Sequence, residues 1–199
     1  MAKSNLVSWM GVLMSIIQAL VKEVYKLGGD DESIRKLATP EGEDLVKQIA
    51  KFIVGVVRPI YNLTVDRTKT LAEMIKAGKY DCVNSDITQE HFPVVGSGKE
   101  EKEFILFDFK RNISSDDAIA EMSQAGCEPG DIADLLALGS DQPELQRQFP
   151  IVALKSSWRV PGGCLLVPCL CSLADDRRVP LRSFGSAWYE DDRFLGRRK

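Results

Sequence analysis

Residues 6–25 constrain this chain most, because apolar side chains cover all but one narrow line of the helix they would form. Ser8, Gly11, Ser15, Gln18 and Lys22 recur at steps of three, four, three and four, which aligns them along one side of an α-helix. The rest of the surface, from Leu6 and Trp9 to Val24 and Tyr25, needs cover. A transmembrane span takes about 20 residues with few polar interruptions, and Gln18 and Lys22 interrupt this run. No small-residue cleavage site marks it as a secretory signal. Helix-on-helix packing is the remaining cover. Gly28-Gly29-Asp30-Asp31 breaks the helix, a short helical piece is expected over 31–38, and Thr39 then caps a second helix with Pro40 in its first position. Leu45, Val46, Ile49, Ala50, Ile53, Val56 and Val57 give that helix an apolar stripe, closed by Arg58-Pro59. Residues 1–58 are therefore expected to form an N-terminal helical hairpin. It would bury its faces against itself, against the main domain or, by self-association, against another copy.

Past Pro59 the pattern changes to that of an α+β domain over 59–199. Strands are predicted at 60–65, 104–109, 151–154, 165–170, 179–183 and 193–197, where β-branched and aromatic residues concentrate or alternate. Gly96 to Glu101 reads as a loop. Helices are predicted at 70–79, at 115–124 behind the cap Ser114, and at 132–138 behind the cap Asp131, the last ended by Gly139. A further helical turn covers 145–149. Helices first and short strands afterwards imply short helices packed on a compact antiparallel sheet.

The charge balance, 26 basic against 29 acidic residues, lacks the basic footprint of a nucleic-acid binder. The single histidine, His91, sits in a turn-like context and reads as structural. That disfavours the nucleophile systems and metal sites that depend on a well-placed imidazole. Cys82, Cys127, Cys164, Cys169 and Cys171 are odd in number and form no Cys-x-x-Cys pair. They read as free thiols in a reducing, cytoplasmic setting. No cofactor, metal or membrane partner is expected.

Strand alternation points to a surface. In 166–171, Cys169 and Cys171 share one side. In 179–182, Pro180 and Arg182 share one side. These four residues can occupy a single exposed face. Ser183 to Asp192 then supplies small, aromatic and acidic residues in an irregular loop, the mix found in binding loops.

From about Asn62 onward the chain resembles the variable proteins of diversity-generating retroelements, in a bacterial and archaeal branch. The resemblance is carried by Ala77-Gly78-Lys79-Tyr80-Asp81, Asn84-Ser85-Asp86-Ile87-Thr88, His91-Phe92-Pro93 and Asp131 to Gly139. It continues through Pro143-Glu144-Leu145-Gln146-Arg147-Gln148-Phe149-Pro150-Ile151-Val152-Ala153-Leu154, then Ser157-Trp158-Arg159, Val167-Pro168 and Arg193-Phe194-Leu195. The loop 160–165 is less polar than that family's, and the ending from Leu195 differs slightly.

The resemblance implies a C-type lectin fold whose final third is rewritten at the codon level. It implies exposed, ligand-contacting variable positions at Cys169, Cys171, Leu173, Pro180, Arg182, Phe184, Gly185, Ser186, Ala187, Tyr189, Asp191 and Asp192. Trp158, Leu170, Leu181, Trp188, Arg193 and Phe194 would be the scaffold between them. A non-enzymatic binder of variable protein or peptide targets follows, and the acidic run Glu190-Asp191-Asp192 suits a target with basic character. Three other readings stay open. One is an enzyme of the formylglycine-generating type using Cys169 and Cys171. Another is a calcium-dependent sugar lectin, since calcium takes several clustered oxygen ligands. The third is a membrane-attached display protein held by residues 6–25.

Overall fold

A computed structural model describes residues 2–37, 39–46 and 59–199. The chain divides into two compact units, Met1–Val57 and Arg58–Lys199. In the first, α1 runs Ala2–Lys26 and stops where Gly28 takes φ +85°, a conformation cheap only for glycine. Asp30 caps α2, Asp31–Lys36, by accepting from the Ser33 N–H at 2.8 Å. Thr39 caps a 3-10 turn at Pro40–Gly42, with Pro40 in its first turn, and residues 43–46 continue as helix. The predicted stripe from Ile49 to Val57, and with it the hairpin, lies outside the described residues. No described helix is long and apolar enough to cross a membrane.

The second unit is mixed α+β around a ten-stranded sheet. Its strands are β1 (Ile60–Asp66), β2 (Cys82–Val83), β3 (Lys99–Phe107), β4 (Cys127–Pro129), β5 (Ile151–Val152), β6 (Trp158–Arg159), β7 (Leu165–Leu173), β8 (Asp176–Val179), β9 (Leu181–Ser183) and β10 (Arg193–Arg198). Its helices are α3 (Leu71–Gly78), α4 (Ser115–Gln124), α5 (Ile132–Asp141) and α6 (Leu145–Gln148). The main strand order is β1-β3-β10-β5-β7-β8-β2, with β4 on β10 and with β6 and β9 on β7.

Thr70, Ser114 and Asp131 each accept a hydrogen bond from the third residue of the helix they start, so three caps fix three helix entries. The centre of the sheet is covered on both sides. Phe104, Leu106, Ile151, Leu170 and Leu195 pack with the α3 and α5 side chains Leu71, Met74, Leu135 and Leu138. Their chain neighbours Ile105, Phe107, Val152, Cys169 and Phe194 pack on the other side, with Ala118 and Met122 of α4 and with Trp188. This is period-two alternation with both faces dry.

Arg177 of β8 ties the helices to this sheet. It is 7% exposed. Nη1 donates to the Gly78 carbonyl at 2.6 Å, and Nη2 donates to the Gly139 carbonyl and, at 3.0 Å, to Gln146 Oε1. Its guanidinium lies over the Tyr80 ring, 4.9 Å from the centroid. Gln146 in turn donates to the Cys171 and Arg178 carbonyls at 2.7 and 3.2 Å.

Several expectations need correction. The sheet is mixed: β10 runs parallel to β5, and β2 parallel to β8. β3 begins at Lys99, inside the predicted loop, because all of β1 pairs with it and its charged half points to water. Residues 179–183 form two strands, since Pro180 has no N–H for the ladder. Gly139 does not end α5, which runs on to Asp141. A Cβ at Gly139 would sit 2.2 Å from the Tyr80 hydroxyl, so glycine is there for close approach.

Candidate ligand-display surface

One face of β7 and the loop after β9 carry the residues singled out in the sequence. Register pairs Val167 with Arg182 and Cys171 with Arg178, while the Cys169 N–H donates to the Pro180 carbonyl at 3.0 Å. Cys169, Cys171, Pro180 and Arg182 therefore do share one face. Arg178 belongs to it as well. The sequence signal for Arg178 was the same alternation, extended one step back from Pro180.

The loop from Ser183 to Asp192 is pinned at several points. The Phe184 N–H donates to the Leu165 carbonyl at 2.8 Å, and its own carbonyl accepts from Ser115 Oγ. The buried Trp188 donates from Nε1 to Ser115 Oγ at 2.8 Å, and its backbone bridges Ile113. Its ring meets Phe194 edge-on, with centroids 5.7 Å apart, a favoured aromatic geometry. The Arg182 guanidinium lies 4.7 Å from the Trp188 ring centroid and bonds the Asp192 carboxylate. Asp192 also accepts from the Tyr189 N–H at 2.9 Å, closing the turn 189–192. Arg193 reaches Asp108 at 2.9 Å and stacks over Phe149.

Between these anchors lie two exposed triplets. Gly185, Ser186 and Ala187 form the first, and Tyr189, Glu190 and Asp191 the second. Tyr189 is 62% exposed. A Cβ on Gly185 would meet nothing within 4 Å, so this position accepts a side chain without rearrangement. Leu173, 61% exposed, lies on the Cys171 side at the far end of β7. From Val167 to Leu173 the strand spans about 20 Å. Pro180 and Phe184 are half-buried.

Two expected surface residues are not on the surface. Cys169 is fully buried, because the sheet is covered on the face it shares with Val167 and Phe194. Asp192 is 2% exposed, because Arg182 and the Tyr189 N–H draw its carboxylate inward. Arg182 is only partly displayed, being committed to Asp192 and Trp188. Of the expected scaffold, Leu170, Trp188 and Phe194 are buried, and Trp158, Leu181 and Arg193 are partly buried. His91 stacks on Trp158, with ring centroids 3.9 Å apart.

The same geometry bears on the open chemical readings. Cys82, Cys164, Cys169 and Cys171 are free thiols. Burial pushes both the Cys169 and the Cys171 thiols up, the opposite of what a nucleophilic thiolate needs. Asp192 is spent on Arg182, which leaves Glu190 and Asp191 of the acidic run facing outward. Among the described residues no group of three or more His, Cys, Asp or Glu gathers as a cation site. Treatment of the native protein with iodoacetamide is expected to label the exposed Cys82 and Cys164. Cys127 and Cys169 should stay unlabelled until denaturant is added. Peptide mass mapping reads this directly, and native labelling of Cys169 would return it to the surface.

A second polar feature is a cleft of about 370 Å³ lined by Arg67, Gly96, Asp131, Lys155, Ser156 and Arg197. Its charges are matched internally. Arg67 Nη2 lies 2.9 Å from Asp131 and 2.7 Å from Asp134. Lys155 and Arg197 both hold Glu128, bringing its carboxyl down to about 2. Burial, followed by the nearby Asp131, raises Asp134 to about 6. The cleft braces β1, α5 and β10 together.

No family model, characterised protein or solved structure matches this chain.

Proposed function

We propose that residues 59–199 form a C-type-lectin-like domain that displays interchangeable side chains to protein ligands, its display positions being diversified by a retroelement. The observation that carries this reading is the division of labour in residues 183–194. Exposed triplets 185–187 and 189–191 alternate with anchors at Trp188 and Asp192, which are 1% and 2% exposed. A backbone held by its own buried anchors keeps its path while the outward side chains change. Any binding loop benefits from such preorganisation, because less freedom is lost on association. Leu173 and the partly exposed Cys171, Arg178 and Pro180 extend the surface along β7 and β8. In this copy Tyr189, Glu190 and Asp191 dominate the outward chemistry, which suits a partner presenting basic residues and gives an association that weakens with salt.

Single changes at Gly185, Ser186, Tyr189 or Asp191 are expected to move unfolding free energy by about 0.5 kcal/mol or less, as read from urea melts. A library randomised at these positions should yield folded variants that bind unrelated proteins. If most members fail to fold, or folded members never bind, the reading is lost. A near-identical copy of the coding segment for 165–192, beside a reverse-transcriptase gene and differing mainly at adenines, is the expected genetic counterpart.

A further inference from the structure

The first helix carries a second periodicity beneath its polar stripe. Leu6, Leu13, Leu20 and Leu27 recur every seven residues. Met10, Ile17 and Val24 fall between them, so apolar residues alternate at steps of four and three from 6 to 27. A repeat of 3.5 residues keeps one seam of a helix facing a partner helix as the two supercoil. Leucine at one seam position, with β-branched residues such as Ile17 and Val24 at the other, is the choice that favours parallel pairing of like helices. The polar residues Ser8, Ser15 and Lys22 fall on the opposite side.

In the structure the described part of this seam is open except at Val24, which is half-buried. Ile17 is 44% exposed, Leu20 39% and Leu27 87%. α2 does not close it: Ile34 and Leu37 stand beside Ile17, Leu20, Val21 and Val24, and together they line an apolar groove of about 240 Å³. Crossing a bilayer does not fit as the cover, since no described helix has the length and apolarity of a span. Glu23 is the only charged residue flanking the seam between Leu6 and Leu27, so like charges do not oppose in-register pairing.

We propose that α1 pairs with α1 of a second copy of this chain, in parallel and in register along the Leu6–Leu27 seam. An assembly of this kind joins two main domains and lets both engage one repeated target, so the second contact forms at high effective concentration. The pairing does not depend on the display reading, because its evidence lies wholly within residues 6–37.

The test is the mass of the full chain at micromolar concentration by light scattering or sedimentation. The wild type should weigh two or more chains, and Leu20→Glu should lower the mass to one chain. Gln18→Glu, which adds the same charge two residues away on the polar stripe, should leave the mass unchanged. The thermal transition of the main unit, retained in each variant, shows that folding is intact. With Cys82 and Cys164 replaced by serine, Leu27→Cys should oxidise to a disulfide-linked dimer, because parallel pairing sets the two copies of position 27 side by side. A monomeric wild type overturns the proposal and assigns the seam to another segment of the chain or to a different partner. Equal dissociation by Gln18→Glu, or an oligomer that Leu27→Cys cannot cross-link, overturns it too.

Discussion

Arg177→Ala is expected to destabilise the main unit by about 3–5 kcal/mol, one of the two largest single effects in the chain. The side chain is buried, and its fork bonds three helices at once: the carbonyls of Gly78 and Gly139 and the Gln146 side chain. Alanine leaves those oxygens inside without donors, empties the space over Tyr80, and frees Gln146 from one of its partners. Arg177→Lys is expected to recover little. An ammonium has neither the planar fork nor the stacking surface that the site uses. Urea or thermal melts of the full chain measure this, and a loss below about 1 kcal/mol would mean that the network is incidental.

Trp188→Ala is the second, expected to cost about 3–5 kcal/mol from lost burial together with the cavity left behind. Its further effect is local. The ring supports Arg182, meets Phe194 and bonds Ser115, so its removal frees both exposed triplets of the loop. Proteolysis within 183–192 should become fast under conditions where the rest of the unit survives, and any ligand selected on this surface should be lost. Trp188→Phe separates the contributions. It keeps most of the packing, loses the Nε1 hydrogen bond, and should cost about 1 kcal/mol for that bond. A resistant loop in the alanine variant would show that Phe184 and Asp192 suffice to hold it.

How much of this was legible in the sequence depended on whether the signal was local. Ser114 and Asp131 announced their helices because a cap acts over three residues, whereas Thr70 was read as part of its helix and proved to be its cap. The alternation in 165–171 placed Cys169 and Cys171 on one side of a strand correctly. It could not say whether that side was wet, because burial depends on α4 and Trp188, which arrive from elsewhere in the chain. Cys169 was misjudged for that reason. Asp192 was misjudged because a carboxylate in an acidic run looks solvated until its arginine, ten residues earlier, is known to turn toward it. The parallel pairing of β10 with β5 and the role of Gly139 are likewise long-range facts. Composition marked 183–192 as an irregular loop with a binding-loop mix, while the outward positions of Gly185, Tyr189 and Asp191 were implied by the family resemblance.

The place of β10 has a consequence for inheritance. It lies between β3 and β5 in the middle of the sheet, yet its codons follow those of the exposed loop. A frameshift or premature stop anywhere in 165–192 therefore removes the strand that joins the two halves of the sheet. Such a product has no centre and is left to proteolysis, whereas a codon swap that keeps the frame leaves the centre intact. If the display positions are rewritten as proposed, this topology screens the outcomes, because broken copies are cleared before any target is met.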